Sequence, residues 1–271
     1  MNREQLDRLL ETLWQDYLAL TPDARRIQSL LNHGNPRMRN DHLALHTFDL
    51  PRINIAQLGK PFERAGYRSC GEYDYAGTRL FARHYEHPDK NLPALLLSEL
   101  NVDSLGDEVR NILHQLISQI PQEALQQDNF CTSGRHWKID YGTYQQLQQC
   151  SGYAAWVAAF GFRAHHYSLL VNSLDTHSDI DELNDYLLQQ GLRLSCDNGL
   201  VQGSADEYLE QSATQPGSVE VQFSDRRAWV PGCHYAFIRR YPQSDGQLYR
   251  GFITEAPAYP ASQAERDPGY R

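Results

Sequence analysis

No run of Lys or Arg in the 271-residue chain is dense enough to follow a phosphate backbone, and 25 basic residues against 34 acidic ones leave a formal charge of −9. Nucleic acid is therefore not an expected partner. No segment reaches the roughly 18 uninterrupted apolar residues of a membrane helix. The opening MNREQLDRLLETLWQDYLAL interleaves charged with apolar residues, which is not the pattern of a signal peptide. The cysteines, Cys70, Cys131, Cys150, Cys196 and Cys233, are odd in number, scattered and free of C-x-x-C spacing. Neither a disulfide frame nor a thiolate zinc site is expected, and a soluble protein of the reducing cytoplasm fits best. Nucleophile elbows, phosphate loops and dinucleotide fingerprints are missing as well, because no glycines fall at the required spacing.

What is present is a chain with 41% hydrophobic residues, long enough for one large domain or two fused small ones. Leu6, Leu9, Leu10, Leu13, Trp14, Tyr17 and Leu18 recur at spacings of three and four, which predicts an opening helix with one packed face. Thr21-Pro22-Asp23 reads as the start of a second helix. Beyond Asn40 the alternation in DHLALHTF predicts a strand with His42, Ala44, His46 and Phe48 on one face. A helical stretch from Ile53 to Ala65 follows, and then strands Gly66–Tyr75, Thr78–His87 after an Ala76-Gly77 turn, and Ala94–Leu100. After a connector of helical character the order repeats: the strand RAHHYSLLVN, a helix from about Ile180 to Gln190 with Asn184 and Asp185 exposed, and short strands around 192–196, 200–202, 219–223 and 233–240.

This repeat of β-α-β-β-β units predicts an α+β fold made by duplication. By analogy, paired units of this kind are the architecture of vicinal-oxygen-chelate proteins, in which two four-stranded sheets curl around one cavity. We expect a single domain with a helical preface (1–40), a first module (41–101), a helical connector (102–162), a second module (163–253) and an irregular tail (254–271).

His42 and His166 occupy the first strand of their respective modules, so the internal symmetry predicts that they face each other across the cavity as neutral imidazole ligands of a divalent metal. A third ligand is open between Glu99, a charge inside the apolar strand ALLLSEL, His234, two residues before Ala236 on the same face, and none at all. His46 is too far along its strand from His42 to share an ion and is expected to contact a substrate carboxylate. His165 is expected to point away from His166. His84 and His87, with Glu86, read as a solvated polar strand tip. Glu210, Gln211 and Ser212 read as a loop overhanging the cavity mouth, with Gln211 and Ser212 as substrate contacts.

The segments NDHLALHTF, GEYDYAG, HYEHPD, LLLSEL, GSADEYLEQSAT and VPGCHYAFIRRYP followed by LYRGF resemble successive blocks of the 2-oxoadipate dioxygenase/decarboxylase family (DUF1338). The resemblance implies an Fe(II) oxygenase that converts 2-oxoadipate and O2 to 2-hydroxyglutarate and CO2 in lysine breakdown. It places the family's histidine ligands on His42 and His166. It places the family's carboxylate ligand on Ala236 within Tyr235-Ala236-Phe237, where a methyl group cannot bind metal. The family's substrate-binding arginine falls on His46, and the tail EAPAYPASQAERDPGYR also departs from the family pattern. The expected function is a metal-dependent oxygenase/decarboxylase of a small 2-oxo dicarboxylic acid, with Fe(II) or another divalent metal and with the 2-oxo acid and O2 as partners. Two alternatives stay open: a glyoxalase-like metal lyase or isomerase, and a catalytically silent ligand-binding homologue.

Overall fold

The computed structural model describes residues 1–75, 78–197 and 199–253. The expected Ala76-Gly77 turn and the tail from 254 onward lie outside the described residues.

The chain opens with α1 (Arg3–Leu20) and α2 (Pro22–Asn32). An Asn2–Gln5 capping box starts α1, and its apolar stripe buries Leu6, Leu9, Leu13, Tyr17 and Leu18. Pro22 sits in the first turn of α2, where its missing N–H costs nothing. The first module then runs β1 (Asn40–Phe48), α3 (Ile55–Arg64), β2 (Arg68–Tyr75), β3 (Leu80–Glu86) and β4 (Ala94–Leu100). Next come α4 (Asp107–Ser118), α5 (Tyr141–Cys150) and α6 (Gly152–Phe160), and then β5 (Ala164–Leu170) and α7 (Ile180–Gln189). The strands β6 (Gln202–Ser204), β7 (Leu209–Ala213), β8 (Ser218–Gln222), β9 (Arg227–Pro231) and β10 (His234–Arg240) complete the order.

Eight strands form one curled sheet in the order β2-β3-β4-β1-β5-β10-β7-β6. Each half repeats the same connection, with β1 parallel to β4 and β5 parallel to β10, and the halves join where β1 runs antiparallel to β5. This is the duplicated vicinal-oxygen-chelate arrangement expected from the order of elements. The second half departs in detail. Residues 192–196 contribute only an isolated bridge, Leu194 to Thr214, and β8 pairs with β9 as a separate ribbon outside the main sheet. Glu210, Gln211 and Ser212 lie within β7 and not in a loop. No helix among the described residues is long and apolar enough to cross a membrane.

The turn from α6 into β5 depends on Gly161, whose φ is +72°. A Cβ there would stand 2.2 Å from the Gly134 carbonyl oxygen, so the close approach of the two backbones sets where β5 begins.

Candidate metal centre

β1, β5 and β10 are the central strands of the sheet, and the side chains they send to one face converge on a cavity of about 190 Å3. Its wall includes His42, His165, His166, Ser168, His234 and Ala236. His234 is the register partner of His166, and Ala236 that of Ser168. The His166 and His234 rings stack at 4.7 Å, and the His42 ring lies 5.6 Å from His166. The structure therefore brings His42, His166 and His234 together.

His165 joins them, against the expectation that it points away. Strand alternation fails here because the β1–β5 register steps from Ala44–His166 to Leu45–Ala164, leaving His165 as an extra residue in a β-bulge. Its Nδ1 stands 3.0 Å from His166 Nδ1. His165, His166 and His234 offer ring nitrogens within 4.8 Å of one another. The available signal was the doublet His165-His166 itself, which a regular strand cannot place on one face but a bulged one can.

A second bulge does the same for Asp41, between the register pairs Asn40–Leu169 and His42–Ser168. The Asp41 carboxylate accepts from His42 Nδ1 at 2.7 Å, so His42 is held with its Nε2 lone pair free of hydrogen, and the Ser168 hydroxyl donates to that lone pair at 2.9 Å. Asp41 is itself gripped by Arg240 through two hydrogen bonds, 2.6 and 2.8 Å long. Arg240 Nη1 donates to both the Tyr249 and Gly251 carbonyls, which draws Phe252 edge-on against His42 at 4.7 Å. Sequence reasoning missed this Asp41–Arg240 support.

Burial disfavours the charged imidazolium throughout the cluster. It lowers His42 despite the opposing Asp41 hydrogen bond, pushes His165 and His166 well below the ordinary value, and brings His234 down to about 4. The imidazoles are thus neutral at physiological pH with lone pairs available, the state a divalent transition metal requires. The donor set fits such an ion.

Other expected site residues are placed differently. Glu99 shares its strand face with Leu95 and Leu97, away from the cavity, and its Oε2 accepts from the Ile55 N–H at 2.7 Å at the start of α3. It is therefore a helix-terminus acceptor and not part of the histidine cluster. His46 sits behind His165, ring to ring at 4.2 Å, with Nδ1 on the Ser98 hydroxyl at 2.7 Å, and it is not among the residues that wall the cavity. There it supports the neighbouring imidazole from behind. Gln211 and Ser212 do line the cavity, although Gln211 Nε2 donates to Gln202 and Ser212 Oγ to Asn184. Asn184, expected to be exposed, is fully buried.

Known proteins resemble this chain over most of its length. The sequence pattern of the 2-oxoadipate dioxygenase/decarboxylase family matches residues 21–243. The chloroplastic 2-oxoadipate dioxygenase/decarboxylase of Arabidopsis thaliana is 25% identical over 234 residues, which are 81% of this chain and 63% of that relative, so the chain spans less than two thirds of its length. Among solved structures, a Shewanella frigidimarina NCIMB 400 protein is 44% identical with a TM-score of 0.88, over 92% of this chain and 97% of that one. The Oryza sativa hydroxyglutarate synthase, solved in complex with 2-oxoadipate, shares the fold at a TM-score of 0.86 and 23% identity, over 93% and 89% of the two chains.

Proposed function

Because the chain belongs to the 2-oxoadipate dioxygenase/decarboxylase family, we propose that it is a metal-dependent oxygenase/decarboxylase of a small 2-oxo dicarboxylic acid such as 2-oxoadipate, taking up O2 and releasing CO2 and 2-hydroxyglutarate. The observation that carries this reading is the convergence of His42, His165, His166 and His234 from three adjacent strands on one cavity. Modules 41–101 and 163–253 act as one domain around it.

The residues that would hold the metal are His165, His166 and His234, whose ring nitrogens stand within 4.8 Å of one another, with His42 completing the set from β1. When bound, an Fe(II) ion would supply the Lewis-acid and redox centre at which the 2-oxo acid and O2 meet. The chain's own residues do the rest. Asp41 keeps His42 in the tautomer whose Nε2 is a ligand, and Arg240 keeps Asp41 ionised. Phe252 and Trp156 supply apolar wall beside the cluster, which limits the approach of water. Among the described residues of the wall there is no Lys or Arg, so the substrate carboxylates are received by neutral donors such as Gln148, Ser195, Gln211 and Thr214.

A second reading keeps the fold and the metal but assigns lyase or isomerase chemistry. It is favoured by the cluster's donors being imidazoles alone, a set that suits zinc as well as iron. Oxygen uptake separates the two. Iron-loaded protein given 2-oxoadipate should consume O2 and release CO2 in equal amounts, and His166→Ala should abolish both. No uptake with iron would overturn the oxygenase reading.

A further inference from the structure

The β2–β3 hairpin carries a second group of metal-suited side chains, apart from the cavity cluster. Donor atoms of Cys70, His84 and Glu86 lie within 4.8 Å of one another. Their assembly is again the work of a bulge. The β2–β3 register steps from Ser69–Tyr85 to Gly71–His84, so Cys70 is an extra residue released from strict alternation. Gly71 makes room for the imidazole, because a Cβ there would stand 2.8 Å from His84 Cε1 and Nδ1. His84 is 4% exposed, not the solvated tip its sequence context suggests.

The polar valences at this spot are left open in a specific way. His84 Nδ1 is bonded to the Tyr73 hydroxyl at 2.7 Å, while its buried Nε2 makes no hydrogen bond among the described residues. Glu86 Oε1 stands 3.5 Å from that nitrogen. The other carboxylate oxygen, Oε2, takes Lys90 at 2.6 Å and Arg250 at 3.0 Å. In the tautomer whose Nδ1 proton goes to Tyr73, Nε2 carries a lone pair, oriented as metal-binding histidines are oriented by a partner on the far nitrogen. One imidazole, the carboxylate oxygen that faces it and one solvent-accessible thiol make a three-ligand set for a zinc-class ion, with the fourth position left to water.

We propose that Cys70, His84 and Glu86 form a second divalent-metal site, suited to zinc and sharing no ligand with the cavity cluster, from which Phe252 separates it. Binding deprotonates the Cys70 thiol, and the proton goes to solvent. The absence of C-x-x-C spacing concealed the site, because only one of its ligands is a thiolate.

The test uses the reduced, metal-stripped full chain with Co(II) as a spectroscopic probe and zinc for stoichiometry. The cavity cluster contains no cysteine, so a thiolate-to-cobalt charge-transfer band does not come from it, and loss of the band in Cys70→Ser separates this site from the exposed Cys150 and Cys196. We expect the band in the wild type and in His166→Ala, and its loss in Cys70→Ser, a change at an exposed position. Bound zinc should fall by one equivalent in Cys70→Ser, and Glu86→Gln should weaken that ion by more than about tenfold. No thiolate band in the wild type, or a band that survives Cys70→Ser, would overturn the proposal. Loss of 2-oxoadipate-dependent oxygen uptake would not touch it.

Discussion

His165 Nδ1 and His166 Nδ1 stand 3.0 Å apart, although the residues are consecutive in a β-strand. Two nitrogens so close need either a shared proton or a shared ion. Two ligands of one ion, each at about 2.1 Å, would sit about 3 Å apart. His165→Ala should therefore lower bound metal by a factor comparable to His166→Ala. Elemental analysis after gel filtration checks this, and full metal retention in His165→Ala would make His165 a mere neighbour.

Asp41 joins the histidine cluster to the protein core. Asp41→Ala would leave the buried Arg240 guanidinium without its carboxylate, at a cost of about 3–5 kcal/mol in unfolding free energy. Asp41→Asn should keep more of the packing while lowering metal affinity roughly 10- to 100-fold, because the His42 tautomer is no longer enforced. Urea unfolding and metal titration on the pair of variants separate the two effects.

The metal-free protein should lose stability as pH falls from neutrality. Burial holds His46 near a pKa of about 3 and His234 near about 4, below the unfolded value of about 6.5. Between those values the unfolded chain binds more protons than the folded one, so the stabilising contribution is complete above about 6.5 and is lost as pH drops towards 4. Denaturation midpoints of stripped protein between pH 7 and pH 4.5 should show this slope, and His234→Gln should flatten it. A midpoint independent of pH would mean that these rings are charged or solvated in the folded state.

Glu99→Ala should leave metal content unchanged and cost about 1 kcal/mol of stability, since its carboxylate serves the Ile55 N–H at the head of α3. Loss of metal in this variant would return Glu99 to the site.

Ala236 offers the converse test. It is 8% exposed, walls the cavity and lies two residues from His234. Ala236→Glu places a carboxylate beside the imidazoles and should shift metal preference towards iron, raising iron retained in competition with zinc and raising 2-oxoadipate-dependent oxygen uptake. Unchanged iron retention would show that the histidines already fill the coordination sphere.

The sequence by itself determined the elements and their duplication, because hydrophobic periodicity and turn residues act locally. The apolar stripe of α1, the His42 strand and the repeated β-α-β-β-β order were all readable from residue spacing, and so was the pairing of His42 with His166 across the two modules. Tertiary structure decided the composition of the site. His165, Asp41 and Cys70 each occupy a bulge, and a bulge arises from how one strand registers against its neighbour, which spacing along a single strand does not contain. Glu99 was misplaced for a related reason. Its facing with Leu95 and Leu97 was correct, but which face of β4 met the cavity depended on where α3 packed, and the unpaired N–H of that helix claimed the carboxylate.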